Sequence, residues 1–173
     1  MTVFELEQCI ETYGKEIYSF CLHLTGAREW ADELYQDTFL TVMEHIMQLH
    51  NDGGANPKSY LLSVAIRLWK NRVRKFAWRN RIAPQVGETA LEQEGGATPD
   101  VSEKAVANEE RGMLWKAIDA LDDRYRIPLL LYYMEEQSVA ELAELLSIPQ
   151  GTVKSRLHKA RQLLEKELED YYS

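Results

Sequence analysis

The chain has 173 residues, 45% of them apolar and 28% charged, with a formal net charge of −8. This is the make-up of an ordinary soluble globular protein, long enough for one domain or two small ones. No apolar run approaches the ~20 residues that a membrane-spanning helix requires, and the opening MTVFELEQ is acidic without a signal-peptide layout. No membrane span and a cytoplasmic location are therefore expected.

A net negative charge by itself speaks against a nucleic-acid partner, but its distribution reverses that. From Lys58 to Gly87 there are eight Lys or Arg and no acid, and from Pro149 to Lys166 there are five against Glu165 alone. Fields in salt reach about a Debye length, roughly 8–10 Å, so two basic patches matter more to DNA than the whole-chain sum. Cys9 and Cys21 have no metal-ligand spacing and read as buried free thiols on apolar helix faces. A lone Cys21-x-His23 is too weak for a zinc site, so no metal and no cofactor is assigned.

Val3 to Thr25 reads as a first helix, with Leu6, Ile10, Tyr13, Ile17, Cys21 and Leu24 on one face and Gly26 as its stop. A second helix runs from about Arg28 to Leu49, with Leu34, Thr38, Val42, Ile46 and Leu49 inward. Its N-terminal half is crowded with Asp32, Glu33, Tyr35, Gln36, Asp37 and Phe39. A solvated acidic face near a positive helix terminus explains such a cluster as readily as a binding site does. HNDGGAN, residues 50–56, is a loop by composition. Asn56-Pro57 then caps and opens a third helix, in which Leu61, Val64, Ala65 and Leu68 point inward. Arg67, Lys70, Asn71, Arg72, Arg74 and Lys75 load it with positive charge, interleaved with Trp69, Phe76 and Trp78. Cations with aromatics suit single-stranded DNA, although a solvated basic helix with Trp69 and Phe76 in the core reads the same way.

Between Glu88 and Glu110 seven acids face one lysine, Lys104, and Gly87, Gly95, Gly96 and Pro99 break structure. Residues 82–107 therefore read as an acidic linker between two domains, 1–81 and 108–173. It is either an extended tether or a phosphate mimic that lies along a basic surface. Beyond it, Met113, Leu114, Ala117, Ile118 and Leu121 form one apolar face. DRYRIPLLLYYM forms another helix, in which Pro128 removes one hydrogen bond and should bend it. Ser138 with Glu141 makes a capping-box pattern, followed by Val139, Leu142, Leu145 and Leu146 at helical spacing. Ser147, Ile148 and Pro149 make a turn, Pro149 fits the first turn of the last helix, and Gly151 suits close packing there. Val153, Leu157, Ala160 and Leu164 then face inward, which leaves Lys154, Ser155, His158, Lys159, Arg161 and Gln162 outward. That outer face suits a major-groove reader, with Lys and Arg for phosphates and guanine edges and shorter polar groups for bases. The pattern alone is shared with any small amphipathic helical hairpin. Periodicity gives helices only, three long ones and then four shorter ones, so the fold expected is all-α with two small helical domains.

Three segments carry a narrower likeness. IPQGTVKSRLHKAR, within ALDDRYRIPLLLYYMEEQSVAELAELLSIPQGTVKSRLHKAR, resembles the recognition helix and C-terminal domain of bacterial RNA polymerase sigma factors of the extracytoplasmic-function subfamily. ADELYQDTFLTVME resembles their polymerase-clamp-binding segment, and SYLLSVAIRLWKNRVRKFAWRNR their segment that recognises and melts the minus-ten element. The resemblance implies a four-helix-type N-terminal domain, a C-terminal helix-turn-helix domain and no enzymatic activity. It implies core RNA polymerase, promoter DNA and an anti-sigma factor as partners of a chain that is monomeric when free.

Residue by residue, the resemblance places Asp32, Glu33, Tyr35, Gln36, Asp37 and Phe39 on polymerase, and an aromatic such as Phe39 suits the buried centre of such a contact. Asn51, Asp52 and Asn56 fall where the family captures a flipped-out base. Arg67, Lys70, Asn71, Arg72, Arg74 and Lys75 fall on minus-ten DNA, though the family often has Asn at position 67 and Asp at position 71. Thr152, Lys154, Ser155, His158 and Lys159 fall on the minus-thirty-five groove, with Arg156 and Arg161 towards flanking phosphates. Two other classes of function share parts of the pattern. A helix-turn-helix regulator outside polymerase fits the last helix pair, but the strands and phosphoacceptor pocket of a response regulator do not appear. A helical nuclease could use Glu33 and Asp37 on one helix, but no His–Asp cluster or phosphate loop accompanies them.

Overall fold

A computed structural model describes residues 2–45, 56–82 and 105–172, without the side chains of 82 and 105–111. Among the described residues there are seven α-helices and no strand. The chain divides into two compact units, one holding α1 (Val3–Thr25), α2 (Arg28–His45) and α3 (Pro57–Ile82). The other holds α4 (Ala105–Asp119), α5 (Asp123–Tyr133), α6 (Val139–Leu146) and α7 (Gln150–Tyr172). Of the stretch 82–107 read as linker, 82 ends α3 and 105–107 open α4, while 83–104 lie outside the described residues, as do the loop residues Asn51 and Asp52 and the inward positions Ile46 and Leu49.

In the first unit every helix packs on the other two. Thr2 and Glu5 close a capping box at the start of α1, and Gly26 ends it with φ 74°, a left-handed turn natural to glycine. The buried line of α1 runs through Leu6, Cys9, Gly14, Ile17, Phe20, Cys21 and Leu24. Ile10, expected inward, is 40% exposed. The buried line passes through Cys9 and Gly14, and the Tyr35 hydroxyl of α2 lies over Gly14. From α2, Leu34, Thr38 and Val42 are buried as their spacing predicts, and Thr38 is satisfied by donating its hydroxyl to the Leu34 carbonyl at 2.7 Å. Asn56 accepts the Lys58 backbone N–H at 3.1 Å and caps α3, while Lys58 pairs with Glu16 of α1. Leu61, Leu62, Val64, Ala65, Ile66 and Trp69 are the buried side of α3. Leu68, expected inward, is half-buried.

In the second unit α7 packs on α4, α5 and α6. Its buried stripe is Val153, Leu157 and Ala160, against Ile118, Ile127, the run Leu129 to Leu131, and Leu142, with Leu164 half-buried. At 23 residues α7 is as long as α1, so the expectation of four shorter helices fails for it. α5 continues through the buried Pro128 as one helix, and Leu114 of α4 is exposed rather than inward. Arg126 is buried at the α4–α5 corner, donating to the Asp119 carbonyl at 3.0 Å and paired with Asp123. The capping box of Ser138 and Glu141 forms as the sequence pattern predicts. Ser147 closes α6 in the left-handed region, and Pro149 stands just before α7, its carbonyl accepting from Thr152 and Val153.

A substitution at Gly14 tests the α1–α2 contact. A Cβ there would lie 3.0 Å from the Tyr35 hydroxyl oxygen. Gly→Ala inside a helix should stabilise by about 1 kcal/mol, and the close approach should cancel most of it. Gly14→Ala is therefore expected to be near neutral in the natural chain and stabilising in a Tyr35→Phe background. Equal effects in both backgrounds, measured by urea unfolding, would contradict the packing.

Candidate nucleic-acid interface

The recognition helix presents its polar face as the stripe requires. Lys154, Ser155, His158 and Lys159 are exposed, while Thr152 and Arg156 are half-buried. Arg161 is exposed but engaged: its Nε donates to the Tyr133 hydroxyl at 2.8 Å, and its guanidinium lies 5.8 Å and 5.7 Å from the Tyr132 and Tyr133 ring centres. It is therefore a brace between α7 and α5 as well as a surface cation. Gly151, read as a packing glycine, has no atom within 4 Å of where a Cβ would stand. It borders a recess of about 500 Å³ lined by Arg124, Tyr125, Pro149, Thr152, Ser155, Arg156 and Lys159. Three cations and no acid line this hollow. Arg124 and Tyr125 were missed in the sequence because DRYR precedes an apolar run and reads as helix start. Their nearness to α7 arises only when α5 packs on it.

On α3, Arg67, Lys70, Arg74 and Lys75 are exposed and Asn71 is half-buried. Arg74 donates to the Asn71 side-chain oxygen at 2.6 Å. Asn56 uses its Oδ1 as a helix cap. Arg72 does not stand free for a DNA strand. Its Nη2 donates to Asp37 at 3.0 Å and its Nη1 lies 3.6 Å from Glu33, both on α2. Its guanidinium also sits 5.5 Å from the Trp30 ring centre, and Trp30 meets Trp69 edge-on at 6.4 Å. The acids of α2 draw this cation inward.

The expected docking set on α2 divides. Asp32, Glu33, Gln36 and Asp37 are exposed, with Asp32 accepting from the Tyr18 hydroxyl at 2.6 Å. Phe39 is buried and Tyr35 half-buried. Tyr35 meets Tyr18 at 5.6 Å and Phe39 at 4.8 Å in edge contacts, so this ring cluster cements α1 to α2. Phe39 is thus corrected from surface anchor to core residue. The apolar groups that do reach the surface are Leu40, 50% exposed, and Met43, 47% exposed, at helical spacing from Glu33 and Gln36.

Among the described residues no group of three or more His, Cys, Asp or Glu could hold a metal. Cys9 and Cys21 are buried free thiols. Burial pushes the Cys21 thiol up to about 12 and His23 down to about 4, so both are uncharged at neutral pH.

One unit carries a helix-turn-helix whose last helix turns a basic face outward, and the other packs an acidic helix on a basic one, which is the make-up of a DNA-binding protein. The family comparisons say which. Residues 9–79 match the family profile described as Sigma-70 region 2, and residues 111–164 match Sigma-70, region 4. The chain is 29% identical to the ECF RNA polymerase sigma factor SigW of Bacillus subtilis, over 93% of this chain and 87% of that one. It is 28% identical to SigM of the same organism, over 95% and 94%. A similar fold, with TM-score 0.80, 20% identity and coverage of 96% of this chain and 98% of that one, is found in the sigma factor RpoE of Bartonella quintana, solved in complex with the anti-sigma factor NepR. The chain belongs to the sigma-70 family, among the ECF RNA polymerase sigma factors. It binds core RNA polymerase and directs transcription initiation, and is not itself an enzyme.

The Arg72 junction has a measurable worth. Its carboxylate partners are half or more exposed, which limits each pair to well under 1 kcal/mol, and the face of Trp30 adds a similar amount. Arg72→Ala is expected to lower the stability of the first unit by about 1–2 kcal/mol. Arg72→Lys should recover only part of it, because an ammonium cannot span both carboxylates and the ring. Urea unfolding followed by tryptophan fluorescence reads this, and an unchanged midpoint in Arg72→Ala would contradict it.

Proposed function

We propose that the surfaces divide the initiation task as follows. The outer face of α7 reads the minus-thirty-five element, with Lys154, Ser155, His158 and Lys159 towards base edges and Thr152 and Arg156 towards the backbone. Arg161 contributes charge while bracing α5. Arg124 and Tyr125 extend this surface across the recess as phosphate contacts. The single observation that carries the assignment is the buried stripe Val153–Leu157–Ala160, which fixes the outward face of α7. Arg67, Lys70, Asn71, Arg74 and Lys75 of α3 hold minus-ten DNA, with Asn56 and the loop residues Asn51 and Asp52 at the flipped base. Arg72 orients α3 against α2 rather than gripping the strand.

Core polymerase docks on the exposed face of α2. The acids Asp32, Glu33 and Asp37, with Gln36, form a polar rim, and Leu40 and Met43 form the apolar centre. The solved relative's complex with an anti-sigma factor supports a similar inhibitor as a further partner. Among the described residues no helix is long and apolar enough to cross a membrane. The acidic segment between α3 and α4 serves as the tether between the two reading units.

Promoter selection tests the DNA surface. Lys159→Ala should cost about 1–3 kcal/mol and relax base preference at one position. Arg124→Ala should weaken all promoters alike and lower the salt slope by about 1. If both leave promoter choice, strength and salt dependence unchanged, the assignment is wrong.

Core affinity tests the protein surface. Leu40→Asp with Met43→Asp should weaken holoenzyme assembly by about 2 kcal/mol, roughly thirty-fold, with the fold intact. Phe39→Ala should instead destabilise the first unit by about 3–5 kcal/mol. A pull-down titration with parallel unfolding curves separates the two. Undiminished core affinity in the double variant would contradict the anchor.

A further inference from the structure

The recess between α5 and α7 has a volume of about 500 Å³, which falls within the range of small-molecule sites, roughly 300–1,000 Å³. Its cations reach it from two helices, Arg124 from α5 and Arg156 and Lys159 from α7. Among the described residues no ion pair engages any of the three. Thr152 and Ser155 add hydroxyl donors, and no carboxylate lines the hollow. Gly151 completes the wall. It lies in the first turn of α7, although glycine is a poorer helix former than alanine. Its φ is not positive, and no protein atom lies within 4 Å of where a Cβ would stand. Neither the backbone nor the packing of this chain therefore calls for glycine. Open access to the N–H groups of the first turn does, since these have no partner inside the helix.

We infer that this hollow binds a free polyphosphate, a chain of two or more linked phosphates, in competition with promoter DNA. Linked phosphates offer several anionic oxygens within one volume, so the cations of both walls and the start of α7 can hold one ligand at once. A DNA strand spreads its phosphates along the duplex and cannot gather them into one hollow. The lining offers a nucleobase no carboxylate or amide to pair with, and the guanidinium of Arg124 lies 5.3 Å from the centre of the Tyr125 ring. The phosphates, not a base, are what this site recognises. An occupied site neutralises Arg124, Arg156 and Lys159, so promoter binding falls as free polyphosphate rises. The competition rests on α7 reading the minus-thirty-five element, whereas the binding itself does not.

The probes are sodium tripolyphosphate, magnesium-free ATP, adenosine and sodium sulfate, titrated calorimetrically into the full chain at one ionic strength. Tripolyphosphate and ATP should each bind one per chain, within about threefold of each other and about tenfold or more tighter than sulfate, while adenosine should not bind. Arg124→Ala and Lys159→Ala should each weaken tripolyphosphate about tenfold. Gly151→Ala should weaken it about fivefold and yet unfold at a higher urea concentration, because alanine favours the helix but blocks its first turn. Tripolyphosphate should also weaken holoenzyme binding to a promoter fragment recovered by run-off transcription, and less so when the holoenzyme carries Gly151→Ala. Tripolyphosphate that binds no tighter than sulfate, or binding that ignores all three substitutions, overturns the site. If Arg124→Ala still weakens promoters in that case, the DNA surface stands without it. ATP binding without tripolyphosphate binding overturns the ligand class. Tripolyphosphate that fills the site and leaves the promoter complex unchanged overturns the competition, and with it the placement of DNA on this face.

Discussion

Arg72 lies between Asp37 and Glu33 and over the face of Trp30. The acidic helix α2 and the basic helix α3 are adjacent in the first unit, so their unlike charges meet at this junction. One guanidinium hydrogen-bonds Asp37, lies near Glu33 and faces the ring of Trp30, and Trp69, edge-on to Trp30, ties the junction into the core. The exposed faces of α2 and α3 are thereby held in one register. On the division of surfaces proposed above, that rigidity means neither face has to be rebuilt when the other is occupied.

The same division of charge explains how an acidic chain can be a DNA-binding subunit. Thirteen of the twenty basic residues fall in two stretches, Lys58 to Gly87 and Pro149 to Lys166. Helical geometry concentrates them further, because α3 and α7 each bury an apolar stripe and turn the rest outward. The acids elsewhere lower the affinity of the free chain for arbitrary DNA, which favours sites read together with polymerase.

Much of this was legible in the sequence because it is local. The bounds of α1, its glycine stop, the Ser138–Glu141 box and the stripe of α7 depend on residues within a few positions of one another. What was not legible depends on distant partners. Phe39 reads as a surface anchor until Tyr18 of α1 completes the ring cluster that takes Tyr35 and Phe39 inward. Leu40 and Met43 were overlooked for the same reason, since the exposed side of α2 is known only once the buried side is. Arg72 looks like any other cation of its helix until α2 is beside it. Arg124 comes to line a recess with Ser155, Arg156 and Lys159 only through the packing of α5 on α7. Ile10 falls on the helical period yet is exposed, while Gly14 lies under Tyr35 of α2. In each case the periodic pattern placed the helix and a tertiary contact chose the residues at the edge of its face.

The most direct test is run-off transcription with core polymerase on genomic fragments, with the start sites mapped by sequencing. The account predicts starts that appear only when this chain is added. They should share two upstream elements at a fixed spacing, the farther one read by α7 and the nearer one by α3. Starts identical to those of core polymerase alone would contradict it.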